Sequence, residues 1–179
     1  MVAATTWQTA GWPQTLDEFD RLVAATQDEL VHFAFYRLGN RADAEDVVQD
    51  VYVQAFRDRV KLRYVSDVRP YLFRMVRNRC TDLLRVRSRN SGLTAESPAI
   101  AGDTLAGIMA REEAAGFAQL LKAIPEQEAE VIRLRAWSEL SFAEVAVAVG
   151  VAVPTVKSRF RYGIEKLRRL LNQEGDTHQ

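Results

Sequence analysis

The residues of this 179-residue chain best placed to do chemistry are cations, amides and hydroxyls at helical spacing. Arg74, Arg77, Asn78 and Arg85 lie in one stretch, and Thr155, Lys157, Ser158, Arg161 and Tyr162 in another. Such groups bind rather than react. Guanidinium and ammonium groups neutralise phosphates and release their counterions, and an Asn amide can meet a base edge with two hydrogen bonds. Catalytic groups are not assembled. The chain has one cysteine, Cys80, and two histidines, His32 and His178. An intrachain disulfide is excluded, and so is a metal site built from several cysteines or histidines. No Ser/His/Asp set or carboxylate pair stands in a catalytic context. The expectation is a protein that is not an enzyme and uses neither cofactor nor metal.

The net charge of zero, 24 basic against 24 acidic groups, argues at first sight against a polyanion partner. Along the chain it is a cancellation. Residues 1–58 carry −6, residues 59–89 carry +8, residues 90–130 carry −5 and residues 131–179 carry +3. Each basic block follows an acidic one and falls on one of the two stretches named above. A single charge run is usually a solvated helix face; two runs on two helix patterns favour nucleic acid. The first residues, MVAATTWQTAGWPQT, lack the basic start and apolar core of a signal peptide. The charge-free run at residues 145–155 is far too short to span a membrane. A cytoplasmic chain is expected.

The elements that must position these residues read as helices throughout. Residues 1–14, with Gly11 and Pro13, look like a flexible tail in which Trp7 and Trp12 are free to dock on a partner. Thr15 followed by Glu18 is a capping box, and Phe19, Leu22, Leu30, Phe33 and Leu38 continue at helical spacing until the stop signal Gly39-Asn40. His32 is expected half-buried on this helix. In RADAEDVVQDVYVQAFRD, one apolar stripe (Val47, Val48, Val51, Tyr52, Phe56) opposes an acidic one (Asp43, Glu45, Asp46, Asp50). A basic loop, residues 59–64, leads to Ser66 as N-cap and to a long helix with Pro70 in its first turn. Val68, Leu72, Val76 and Leu83 line its apolar face, and Cys80 is a packing residue in its interior.

Residues 88–103, SRNSGLTAESPAIAGD, are polar and aperiodic and read as a linker. The domains are drawn as a tail 1–14, a helical domain 15–88, a linker 89–103, a second helical domain 104–173 and a tail 174–179. The linker stretch reaches about 55 Å when extended, against about 34 Å for one turn of duplex, so the two domains can sit on separate stretches of one DNA. Four helices are expected in the second domain: residues 105–123, a helix with Pro125 at N1 ending near residue 137, one opened by the capping box Ser141…Glu144, and one over residues 153–171. The run VAVAVGVAV alternates like a strand, but Phe142, Val145, Ala146 and Val149 at helical spacing favour a helix. Ala146, Gly150 and Val151 then give the layout of a helix-turn-helix. Its second helix carries six Lys/Arg and one acid from Pro154 to Arg169. The fold class is therefore all-α: two small helical domains, the second with a helix-turn-helix.

At these residues the chain resembles a family. IPEQEAEVIRLRAWSELSFAEVAVAVGVAVPTVKSRFRYGIEKLRRLL is similar to region 4 of bacterial sigma factors, and DAEDVVQDVYVQAF followed by RPYLFRMVRNRCTDLLR is similar to region 2. The second half alone would also fit the DNA-binding domain of a LuxR-type regulator, so the alternative is a stand-alone helix-turn-helix regulator. A helical adaptor that binds only proteins is a further rival. Both blocks in this order, over roughly residues 16–172, resemble the extracytoplasmic-function (ECF) sigma factors.

The resemblance implies a factor that binds core RNA polymerase, recognises a promoter and helps to melt it. Asp46, Gln49 and Asp50 would dock on the β′ clamp helices, with the β subunit a further contact. Leu62, Arg63, Tyr64, Arg74, Arg77, Asn78 and Arg85 would hold the −10 element, and Thr155, Lys157, Ser158, Arg161 and Tyr162 would read the −35 element. An anti-sigma factor is an expected partner. The chain departs from the family's pattern at Tyr71, where Trp is usual, at Tyr162, where Arg is common, and at Gly163, where Ala is common. Gly163 would weaken its helix by about 1 kcal/mol.

Overall fold

The computed structural model describes residues 11–90, 116 and 119–175. The expected tail residues 1–10 and 176–179, with Trp7 and His178, lie outside the described residues. So does the linker beyond residue 90, and so does most of the helix expected over 105–123. Seven helices are named here: α1 (Leu16–Leu38), α2 (Arg41–Arg57), α3 (Arg59–Leu62), α4 (Val68–Asn90), α5 (Glu126–Trp137), α6 (Phe142–Val149) and α7 (Val153–Gly175). Residues 119–122 add a helical turn before α5. No strand occurs among the described residues. The protein is all-α, with one group of helices in each half.

Local chemistry sets the boundaries. Thr15 Oγ1 accepts from Glu18 N at 3.3 Å while Glu18 Oε2 accepts from Thr15 N at 3.2 Å, which satisfies two N-terminal donors of α1 reciprocally. Gly39, at φ 73°, ends α1, and the side chain of Asn40 at once caps α2 by accepting from Asp43 N. Two residues therefore act as stop and start for antiparallel neighbours. Ser141 and Glu144 repeat the reciprocal cap on α6, and Gly150, at φ 72°, ends it. Residues 145–149 of the alternating run are helical, as the capping box implied, and residues 150–152 form the turn.

Some details differ from expectation. Pro125 is the N-cap of α5 rather than its first residue, because its ψ of 136° is extended. The basic loop begins as the one-turn helix α3, closed by Leu62 N donating to Asp58 O at 3.0 Å. Helix α4 starts at Val68, with Tyr71 N donating to Asp67 O. His32 is exposed rather than half-buried. Trp12 and Pro13 are buried rather than loose. Gly11 has φ 100°, and the Trp12 ring meets Tyr71 edge-on at 6.0 Å. The Gln14 amide donates to Trp12 O at 2.9 Å. This contact lies before any periodic pattern, so periodicity could not reveal it.

The main core belongs to both halves. Phe33 of α1 and Phe73 of α4, fully buried, stack edge to face at 5.4 Å. They share one cluster with Leu72 and Val76 and with Val131, Leu134, Val145 and Val156 of the second half. A smaller cluster of Leu121, Ile124, Ala129, Ile132 and Leu167 holds α5 to α7. Gly163 lies in that contact. A Cβ there would come within 2.7 Å of Ile132 Cδ1 and 3.1 Å of Glu128 Cβ. The glycine costs helix propensity and gains close approach. Gly163→Ala is expected to lose about 1 kcal/mol net, overpacking outweighing the propensity gained; the urea midpoint checks this.

Tyr52 of α2 lies under the aromatic cluster of Phe19 and Phe56. Its hydroxyl is 2.6 Å from Thr26 Oγ1, which itself donates to Leu22 O at 2.8 Å, so Tyr52 is the donor of the pair. Burial pushes the Tyr52 phenol up to about 12. The folded pKa is raised, so its stabilising contribution is complete below the unfolded value of about 10. It is lost as pH rises from there to about 12. Tyr52→Phe should flatten the fall in unfolding free energy across that window relative to wild type, as read by denaturant titrations at each pH.

Candidate nucleic-acid interface

The second half presents its helix-turn-helix through the Gly150 corner. Gly150 N and Val151 N both donate to Ala146 O, at 2.9 and 3.2 Å. Val156 is fully buried, and Phe160 packs edge-on against Phe142 at 5.5 Å. These two anchors turn the other side of α7 outward. Thr155, Lys157, Ser158, Arg161 and Tyr162 are all exposed. The Arg161 guanidinium lies 4.9 Å from the Tyr162 ring and donates to its hydroxyl at 3.2 Å. Tyr162 thereby steadies the neighbouring cation. Further along, Lys166 and Arg169 are taken up by Glu128 and Glu165. Among the described residues, neither Lys157 nor Arg161 has a carboxylate partner.

The first half divides its expected set. Arg63 and Tyr64 are exposed, Tyr64 at 79%, with the Arg63 guanidinium 4.5 Å from the Tyr64 ring. A cation beside an open ring is a stacking platform for an unpaired base. Leu62 is not at the surface. It is buried and anchors the segment that displays its two neighbours. Arg74, Asn78 and Arg85 are exposed along α4. Arg77 points elsewhere. Its Nε donates to Glu130 Oε1 of α5 at 2.7 Å.

Asp46, Gln49 and Asp50 are exposed on α2. Asp50 pairs with Arg79 of α4 at 2.7 Å, and Asp43 with Arg87 at 2.6 Å. Two adjoining grooves between α2 and α4, of about 480 and 250 Å³, share Asp50, Arg79 and Asp82. Asn78 lines the larger and Asp46 the smaller. The acidic set and part of the −10 set thus meet along one furrow.

Sequence reasoning missed the charge cluster that joins the halves. Glu130, its side chain 5% exposed, accepts from Arg37 of α1 as well as from Arg77. Arg37 also donates to Thr81 of α4 at 3.2 Å and lies 3.3 Å from Glu126. Arg133 holds Glu126 with two bonds of 2.7 and 3.1 Å. Nearby, Arg69 pairs with Glu29 at 2.8 Å and donates to Ser138 O. The signal was available only as an acid, Glu130, beside the apolar Ala129, Val131 and Ile132 of α5. Nothing in that spacing names its partners.

Comparison with known proteins gives the arrangement a family. Residues 22–90 match the family described as Sigma-70 region 2, and residues 120–169 match Sigma-70, region 4. The ECF RNA polymerase sigma factor SigM of Mycobacterium tuberculosis (strain H37Rv) is 32% identical over 154 residues, covering 86% of this chain and 76% of that protein. The ECF RNA polymerase sigma factor SigW of Bacillus subtilis (strain 168) is 26% identical over 167 residues, covering 87% of this chain and 89% of that protein. Among solved structures, the sigma factor RpoE in complex with the anti-sigma factor NepR from Bartonella quintana superposes with a TM-score of 0.71 at 25% identity, covering 88% of this chain and 98% of that one. CnrH in complex with the cytosolic domain of CnrY gives 0.68 at 28%, covering 89% and 90%. No described helix is long and apolar enough to cross a membrane. With region 2 in its first half, region 4 in its second and relatives matched across both, the chain belongs to the ECF-type sigma factors of RNA polymerase.

Proposed function

We propose that the chain binds core RNA polymerase through the acidic face of α2, reads a −35 element with α7 and holds the melted −10 strand with Arg63, Tyr64 and the exposed residues of α4. The observation that carries this reading is the outward face of α7. It offers two cations without carboxylate partners among the described residues, beside two hydroxyls and a tyrosine, while its opposite face is locked into the core. Recognition helices meet base edges and phosphates through such N-terminal residues. Asp46 on the smaller groove, with Gln49 exposed on the same helix, suits a basic partner, which charge complementarity would steer and orient. The factor works by binding, with no covalent step of its own. An anti-sigma factor is proposed as a second partner, since the RpoE and CnrH neighbours were both solved in complexes.

In vitro transcription with core polymerase on genomic DNA, followed by start-site mapping, tests the reading. Discrete starts that depend on this chain are expected. Failure to co-purify with core polymerase, together with tight duplex binding by the free chain, would establish the stand-alone regulator instead.

A further inference from the structure

The second half lies against the part of α4 that carries Arg69, Phe73 and Arg77, one helical turn apart from each other. Arg69 and Arg77 both reach across to it. At the centre, one oxygen, Glu130 Oε1, accepts from Arg77 Nε and from Arg37 Nη1. Glu130 and Arg37 are almost wholly removed from water, at 5% and 6% side-chain exposure. A buried ion cluster is a weak source of stability, because desolvation offsets most of the attraction, but breaking one side of it is costly. Its use lies in what it specifies. Here it occupies a guanidinium of the proposed strand-binding set while Arg74 and Asn78 are exposed.

We propose that Glu130 is a built-in stand-in for a nucleic-acid phosphate. It holds Arg77, ties α5 to α1 and α4, and keeps the free chain closed. A strand phosphate competes for the same guanidinium, so strand binding and closure exclude one another. This rests on the assignment of α4 to the strand, and its test separates the two.

Full-length chains carrying Asp20→Cys and Arg168→Cys, both at exposed positions, are spin-labelled. Cys80 is buried and its thiol is pushed up to about 11 by that burial, so it stays unlabelled at neutral pH. Interspin distances are measured, and binding of a fluorescent single-stranded oligonucleotide is followed by anisotropy. Wild type should give a short, narrow distribution. Glu130→Gln should give a long, broad one, because Arg37 loses its buried carboxylate partner, and should bind the strand about tenfold tighter. Arg77→Gln should also lengthen the distance but bind the strand no tighter than wild type. A Glu130→Gln chain that stays closed, or opens without gain in strand affinity, overturns the proposal. Should that variant not fold, a closed Arg77→Gln chain overturns it equally. Wild-type binding to core polymerase, measured in parallel, reports on the sigma assignment alone and leaves the distance result standing.

Discussion

Alanine at Lys157 and Arg161 together should reduce promoter binding by the polymerase holoenzyme by about a hundredfold or more, each lost contact costing about 1–3 kcal/mol. Both side chains are exposed and lack carboxylate partners among the described residues. Their removal should therefore leave thermal unfolding and core-polymerase affinity unchanged. The two contributions separate in single variants. A cation that reads a base edge relaxes preference at one promoter position when removed. One that meets only phosphate weakens all promoters alike and lowers the salt slope of binding by about 0.9. Arg161 is the better base reader, since the Tyr162 ring and hydroxyl restrict its guanidinium. Holoenzyme titrations on promoter duplex at several salt concentrations give both numbers. Unchanged promoter-dependent transcription by the double variant would instead fit an adaptor that binds only proteins.

The largest effect on stability is expected at Phe73. Phe73→Ala should cost about 3–5 kcal/mol, the usual range for an aromatic truncated in a packed core, out of a total of about 5–15 kcal/mol. Phe73 is fully buried, stacks on Phe33 and lies under the Arg69 guanidinium at 5.8 Å. Its cluster includes Val131, Val145 and Val156 of the second half, so the loss should appear in both halves. In urea unfolding followed by circular dichroism, one transition should move to lower denaturant. Hydrogen exchange in α6 should quicken along with that in α4. A shift confined to α1 and α4 would show that the cluster does not couple the halves. Phe160→Ala, at a half-buried position, serves as the milder comparison.

What could be read in advance from the residues was what neighbours along the chain decide. The capping boxes at Thr15 and Ser141 and the left-handed stops at Gly39 and Gly150 depend on contacts within a turn or two, and the outward set on α7 follows from the helical period of its apolar residues. The strand-like VAVAVGVAV was resolved the same way, because Ser141 and Glu144 fix the helix before alternation can matter. Features that depend on distant contacts were not legible. Trp12 is buried against Tyr71, far along the chain from it. Leu62 is buried, although the resemblance groups it with the exposed Arg63 and Tyr64. Arg77 adjoins Asn78 in sequence, yet the step of about 100° between helix neighbours puts it on the face of Arg69 and Phe73, where it meets Glu130. Gly163 is unfavourable by helix propensity alone, but Ile132 and Glu128 lie where its Cβ would be. Each is a tertiary override of a sound local rule.

Phe73, Val76, Val131 and Val145 share one core across the two halves, so each half shelters apolar surface of the other. A copy that has opened but not docked displays that surface to chaperones and proteases. Its working life is then limited by how soon it finds polymerase or recloses. Turnover should track engagement, sparing closed and docked copies and consuming open, unattached ones. A pulse–chase comparison would read this as faster decay of Glu130→Gln than of wild type, with the gap narrowing when core polymerase is in excess.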